Sequence, residues 1–442
     1  MTLAEISAAI ANHAVSPVEV TLACLDDITA LDGRLHSFIT VTADRALDDA
    51  RRAETEIMEG RYRGPLHGVP IALKDLCATR GIRTTCGSGV LRDWVPDYDA
   101  EIARRLDAAG AVLLGKLNMS EFAYGAIHPE FPAPRNPWNL DRFAGGSSSG
   151  SAAALAAGLC YGSVGTDTGG SIRGPAAFCG IVGLKPTYGA VSRQGVVPLS
   201  WSLDHVGPMA RTVEDASLLF EAMVERAPAE PKDLRGLRVG AILPEVQGDI
   251  KERVQAGIET LSSIVAGVVE VSLPDPEETM AAWWTVCLAE AAAYHQRTLA
   301  ERPTDYSVAV RERLQAGLMI PAVQYIQARR ARRAIIRSFA ALFERVDMLV
   351  LPATLTEAPT LEAAVAGGWE NMRERIRLLA PFNVAELPAV SVPCGFTANG
   401  LPVGLQMAGP PWADRTVLAL ARAFERAAGL HTLVPPVSAR AL

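Results

Sequence analysis

The chain has 442 residues, 49% of them apolar and 21% charged, with a formal net charge of −7. That balance is ordinary for a globular protein and excludes both a low-complexity chain and an electrostatic grip on nucleic acid or an anionic membrane. Seven cysteines without a CxxC pair fit reduced thiols in the cytoplasm, no signal peptide is evident, and no apolar run approaches the ~20 residues of a membrane span.

Thr2 with Glu5, and Ser16-Pro17-Val18-Glu19, are capping-box starts that predict two N-terminal helices, and a third is expected over 43–59. After a loop at 61–67, the run 69–74 (VPIALK) reads as a buried strand that delivers Lys74 to its end, next to Asp75. Lysines are rarely buried. Lys74 is either a surface residue paired with Asp75 or a buried amine whose pKa falls because desolvation disfavours the charged form. A helix follows Asp99, and 111–114 is a strand. The string 110–117 (GAVLLGKL) imitates a phosphate-binding loop, but Leu117 stands where Ser or Thr must hold magnesium. A helix is expected to begin over 118–124, and the Pro-rich stretch 128–138 is an irregular connection.

Residues 145–179 (GGSSSGSAAALAAGLCYGSVGTDTGGSIRGPAAFC) hold two glycine-serine clusters. Between them, 151–157 reads as a small-residue helix ending at Gly158, and 161–166 as a short strand, so these are not flexible linkers. A serine among glycine amides is what acyl transfer requires, with an attacking oxygen beside donors for the oxyanion that the attack creates. Gly146-Ser147-Ser148-Ser149-Gly150 matches GxSxG with Ser148 at the tip, but that elbow needs a preceding strand and 139–143 reads as polar loop. Ser171 is better placed, because Thr168, Gly169 and Gly170 precede it. Neither cluster contains a histidine, so another kind of base must act, and upstream only Lys74 sits in a buried-looking context.

Beyond Cys179 come turn-rich connections, a helix capped by Thr212, and a linker over 227–236. Strands are expected at 237–243 and 268–273. A long helical block over 277–345 carries Trp283, Trp284, Tyr294 and Tyr325. Strands at 348–351, 389–392 and 403–407 precede a closing helix at 414–428. Strands and helices mix throughout, which predicts an α/β fold with a large sheet.

The strand ending in Lys74-Asp75, the stretch GKLNMSEFA (115–123), the blocks 145–151 and 165–180, VGLKPTYG (182–189), 202–211 and the tail 387–409 together resemble the amidase signature hydrolases. The lysine and both serine clusters occur in that family's order, with Ser147 and Ser171 24 residues apart. The resemblance implies a single domain over 1–442 with a large twisted mixed sheet flanked by helices. Its parts would be N-terminal helices (1–60), a catalytic core (61–226) and a C-terminal portion (237–442) that contributes the helical block to the substrate pocket. It implies a Ser171 nucleophile, Ser147 as a bridging serine after a cis peptide, Lys74 as base, and an oxyanion hole from the amides of Thr168, Gly169, Gly170 and Ser171. Asp167 and Arg173 are expected to order the glycine loop, and Tyr124, Gly146, Gly174 and Trp201 to contact substrate. Glycine at 174 removes bulk and charge that some relatives place there, which predicts a roomy pocket for apolar or aryl amides rather than small carboxylated ones.

The activity implied is hydrolysis of an aryl or aliphatic amide, extending to carbamates (urethanes), to acid plus amine or ammonia, without cofactor or metal. The partner is the small-molecule amide, with no nucleic acid or membrane, and a homodimer is allowed. The alternative is the A subunit of a tRNA-dependent amidotransferase acting as a glutaminase, against which the short, Pro-rich 126–138 loop counts.

Overall fold

The structure, a computed structural model, describes residues 1–246, 248–366 and 369–439. In chain order its strands are β1 (Phe38–Val41), β2 (Pro70–Lys74), β3 (Val112–Leu117), β4 (Arg135–Asn136), β5 (Asn139–Phe143), β6 (Gly162–Asp167) and β7 (Val182–Lys185). They continue with β8 (His205–Ala210), β9 (Arg238–Ala241), β10 (Gly267–Glu270), β11 (Met348–Pro352), β12 (Ala389–Phe396) and β13 (Pro402–Ala408). Eleven of them form one sheet in the order β1-β3-β2-β6-β8-β7-β12-β13-β11-β9-β10, while β4 and β5 make a separate hairpin. The sheet is mixed: β2 runs parallel to both β3 and β6, whereas β6–β8, β7–β12 and β12–β13 are antiparallel. Helices flank this large mixed sheet, which is the α/β architecture expected.

β2 reads as an unbroken apolar run because it lies between two parallel neighbours and is buried along its whole length. The helix Ser149–Ala157 is built from Ser, Gly, Ala and one Leu, and every residue of it is buried. It packs across β2, β3, β6 and β8 and against the helix Arg173–Cys179. Only small side chains permit that approach. A Cβ at Gly150 would lie 2.3 Å from the Ser37 carbonyl oxygen and 2.6 Å from the Asn118 nitrogen.

Both capping boxes form, at Thr2/Glu5 and Ser16/Glu19. The block 277–345 becomes the helices Pro276–Glu301, Val308–Leu318 and Ala322–Arg345, and the closing helix is Asp414–Ala428. Three expectations need correction. Residues 118–124 form no regular helix but a 3₁₀ turn, Glu121–Ala123, with Phe122 at φ 45°. Residues 139–143 are not loop; they are β5, a polar strand paired with β4. The turn-rich stretch after Cys179 contains two central strands, β7 and β8.

Parallel pairing of β2 with β6 brings their C-terminal ends, Lys74 and Asp167, to one edge of the sheet. Open sheets collect ligands outside the carboxyl ends of parallel strands.

Candidate active site

Lys74 is wholly buried at the end of β2. Its Nζ lies 2.7 Å from Ser147 Oγ and donates to Thr166 Oγ1 at 2.8 Å. Burial, only partly offset by surrounding thiols and carboxylates, lowers its pKa from 10.5 to about 7. Two further lysines, Lys116 and Lys185, are also fully buried, so burial alone does not single Lys74 out. Lys116 Nζ is used up by the Cys77 carbonyl at 2.7 Å and Thr84 Oγ1 at 2.6 Å, and Lys185 Nζ by the carbonyls of Pro186 and Leu387. Of the three, Lys74 is the one that meets a serine hydroxyl. The pairing of Lys74 with Asp75 does not form. Asp75 instead accepts from Thr85 N at 2.8 Å and Thr85 Oγ1 at 2.5 Å.

The peptide Gly146–Ser147 is cis. Ser147 and Ser171 line the same cavity, but no hydrogen bond joins their hydroxyls. Ser148, at the tip of the GxSxG string, is buried and donates to the Thr166 carbonyl at 3.2 Å, so it presents no free oxygen to the cavity.

The loop that carries Ser171 is held from below by Asp167. Its carboxylate accepts from Gly170 N (2.7 Å), Ile172 N (3.1 Å) and both the Nε (3.0 Å) and Nη2 (2.8 Å) of Arg173. Burial would raise the Asp167 pKa, but the Arg173 charge and its hydrogen bonds outweigh that and hold the carboxyl well below the usual range. Arg173 in turn donates to Gln406 Oε1 (2.6 Å), Asn383 Oδ1 (2.8 Å) and the Leu379 carbonyl (3.0 Å), all from the C-terminal half. The expected loop-ordering role of Asp167 and Arg173 has this geometry. It carries a correction as well: the Gly170 amide is already committed to Asp167. Among the described residues, the amides of Thr168, Gly169 and Ser171 have no partner and are the donors left for an oxyanion.

Two groups hold this loop from above: Trp283, from the helical block expected at the pocket, and Asp204, which sequence reasoning missed. Trp283 Nε1 donates to the Thr168 carbonyl at 2.8 Å, and a Cβ on Gly169 would come within 2.7 Å of the same indole. In a planar peptide, C=O and N–H point opposite ways, so fixing the Thr168 carbonyl aims the Gly169 N–H away from Trp283. Asp204 accepts from Thr168 Oγ1 at 2.6 Å and from the amides of Leu199 and Ser200; burial pushes its pKa up to about 6.

The cavity above Ser171 encloses about 890 Å³ of empty space, its mouth included. Its walls are mostly apolar, with Ile127, Phe143, Phe178, Met372, Ile376 and Leu379 among them, and Gly146 and Gly174 contribute as expected. A Cβ at Gly174 would meet only Leu379, at 3.6 Å, so the space left by that glycine is real. The charged side chains among the described lining residues are Arg313 and Arg375; no carboxylate is among them. Position 174 thus brings neither bulk nor charge to the wall, and the charge there comes from Arg313 and Arg375.

Two residues expected to contact substrate do not line this cavity. Tyr124 is fully buried and is absent from the cavity lining, its ring lying 5.9 Å from the Arg313 guanidinium carbon and its carbonyl accepting from Arg313. The turn at Phe122 sends Tyr124 inward. Trp201 is 45% exposed and borders a second, neighbouring hollow with Asp204 and Arg193. The 126–138 loop reaches the cavity through Ile127.

The family model described as Amidase matches residues 19–418. The A subunit of glutamyl-tRNA(Gln) amidotransferase from Moorella thermoacetica is 39% identical to the chain, the alignment covering 98% of each. A crystal structure of an amidase superposes with a TM-score of 0.88 at 35% identity, over 96% of this chain and 99% of the other. The A subunit of glutamyl-tRNA(Gln) amidotransferase from Thermotoga maritima gives a TM-score of 0.77 at 31% identity, over 93% of this chain and 91% of its own. Among the described residues no helix is long and apolar enough to cross a membrane.

Proposed function

The chain belongs to the amidase signature family, and from that premise we propose that it hydrolyses a small-molecule amide with an apolar or aryl body, or the corresponding carbamate, through an acyl-enzyme on Ser171. The Lys74–Ser147 contact and the place of Ser147 and Ser171 on one cavity wall support the residue roles. Above about pH 7 Lys74 is neutral, with a lone pair and two N–H groups. One N–H stays on Thr166 Oγ1, which leaves the lone pair for the Ser147 hydroxyl proton across the 2.7 Å contact. Ser147 takes the proton of Ser171 once the Ser171 side chain turns to it, a rotamer change that substrate binding can drive. Ser171 Oγ then attacks the carbonyl, and the developing oxyanion sits among the amides of Thr168, Gly169 and Ser171. The relay returns the proton to the departing nitrogen, and water, activated by the same groups, cleaves the ester.

The observation that carries this choice of substrate is the apolar cavity without a described carboxylate. Glutamine presents an α-ammonium group, and a desolvated ammonium needs an acidic partner. A second reading, glutaminase component of an amidotransferase, is favoured by the 39% identity to the A subunit from Moorella thermoacetica. The similarity to curated relatives backs this second reading better, and what supports the first is the apolar, carboxylate-free lining of the cavity. The purified chain, incubated alone with aryl amides, aliphatic amides, carbamates, ureas and glutamine, tests both. Turnover of an apolar amide without partner or ATP is expected. Glutamine hydrolysis stimulated by a co-purifying partner and ATP, with no turnover of the others, would reverse the order.

A further inference from the structure

Three arginines sit close together on and after the helix Trp369–Ile376, and they differ in one respect. Arg373 Nη2 pairs with Glu277 at 2.5 Å, and Arg377 Nη1 with Glu374 at 3.5 Å. Arg375, between them, lines the catalytic cavity, is half-buried, and has no ion pair or hydrogen bond among the described residues. The second cation on the wall, Arg313, comes from the helix Val308–Leu318 and is spent in part on the Tyr124 carbonyl. An arginine that gives up solvation without gaining a partner is held at a cost, and burial accordingly lowers the pKa of Arg375. Its neighbours in the lining, Met372, Ile376 and Leu379, offer it no acceptor side chain. The positive cavity also stands in a chain of net charge −7, so it is a local feature rather than a general excess of cations.

We infer that the substrate carries an anionic group, a carboxylate, on the acyl side of the scissile bond, and that Arg375 receives it at the wall of the apolar cavity. This deepens the amide-hydrolase reading above and rests on it. The substrate class is then an ω-carboxy acyl amide, with an apolar spacer between the carboxylate and the amide. It is not a compact acid gripped beside the nucleophile, because Gly174 leaves that place empty. A guanidinium suits such a group because its planar fork matches a carboxylate in two parallel hydrogen bonds.

Mono-para-nitroanilides of dicarboxylic acids of increasing length, each compared with the neutral anilide of the same chain length ending in methyl, test this on the full-length protein. At the best length the acidic member should exceed its neutral partner by about tenfold or more in kcat/KM, mainly through KM, and the preference should shrink as ionic strength rises. Arg375→Gln should collapse that ratio about tenfold or more, and Arg375→Lys should restore part of it. A wild-type enzyme that turns over neutral anilides as well as or better than acidic ones overturns the inference and leaves the hydrolase reading standing. So does an Arg375→Gln protein with an unchanged ratio. Absence of turnover for every anilide overturns the carboxylate assignment, while the hydrolase reading is decided by the wider screen of amides, carbamates, ureas and glutamine.

Discussion

Replacing Trp283 with Phe removes one hydrogen bond and part of a buried ring, and the kinetic loss, read beside the melt, tests how the glycine loop is held. The indole Nε1 donates to the Thr168 carbonyl at 2.8 Å, and Trp283 is only 1% exposed. With Phe, that carbonyl is left buried with no donor, a loss of about 1–3 kcal/mol. If all of it is felt where the Gly169 amide must meet the oxyanion, kcat falls by about 5- to 150-fold. Thr168 keeps its second anchor, the 2.6 Å bond to Asp204, and Asp167 keeps its carbonyl bond from Asn383 Nδ2 at 2.8 Å. The loop therefore loosens rather than collapses, and a loss of about 10- to 50-fold in kcat is expected, with KM moving less. Steady-state kinetics on a chromogenic amide, alongside a thermal melt, separates the two effects. Trp284→Phe is the control, since that ring lies beside Trp283, at 4.8 Å between centroids, and outside the cavity lining. A Trp283→Phe enzyme whose kcat stays within about twofold of wild type refutes the loop-holding role.

Lys74→Ala should abolish turnover while the fold survives, because the replacement removes a desolvated amine and leaves a small gap facing the hydroxyls of Ser147 and Thr166; a retained wild-type rate ends the relay. Arg173→Met should destabilise the protein by about 3–5 kcal/mol, because it leaves the Asp167 carboxylate buried without its partner. Denaturant titration checks this, and the loss should be smaller at acidic pH. The Asp167 pKa is depressed in the native state, so its stabilisation is full above the unfolded value of 3.8 and fades as pH falls toward the native one. Once Arg173 is gone, that acid-labile part is gone too. Gly150→Ala should prevent correct packing of the Ser149–Ala157 helix, since neither the Ser37 carbonyl nor the Asn118 backbone can move away from the new methyl. Insoluble expression or a strongly lowered melting temperature is expected, and a wild-type melt would contradict it.

The site is legible in the sequence where chemistry and local pattern coincide. An apolar run that ends in lysine identifies β2 and Lys74, and small residues between two glycine-serine clusters identify the buried helix. The same apolar-run signal stands before Lys116 and Lys185, where it shows that burial alone does not select the base. β8 is illegible for a physical reason. Gly207 and Pro208 look like turn residues, yet a Cβ at Gly207 would lie 2.1 Å from the Leu184 carbonyl oxygen, so the glycine serves the close approach of a neighbouring strand. Nearness to the motifs along the chain puts Tyr124 and Trp201 in the pocket. The positive φ at Phe122 and the loop after Leu199 send them elsewhere. Trp283, Asn383 and Arg375 reach the site from segments more than a hundred residues beyond the glycine loop. Nothing local marks Asn383 and Arg375, because their roles exist only once the C-terminal strands close the sheet.

The central claim is that Ser171 is activated by an uncharged amine at Lys74, and the pH dependence of kcat/KM tests it most directly. The pKa of about 7 produced by burial means that the base is protonated and idle below that value and free above it, so the rate should climb through pH ~7 to a plateau. A profile that is flat across this range, or that rises only near the ordinary lysine value of 10.5, would contradict it.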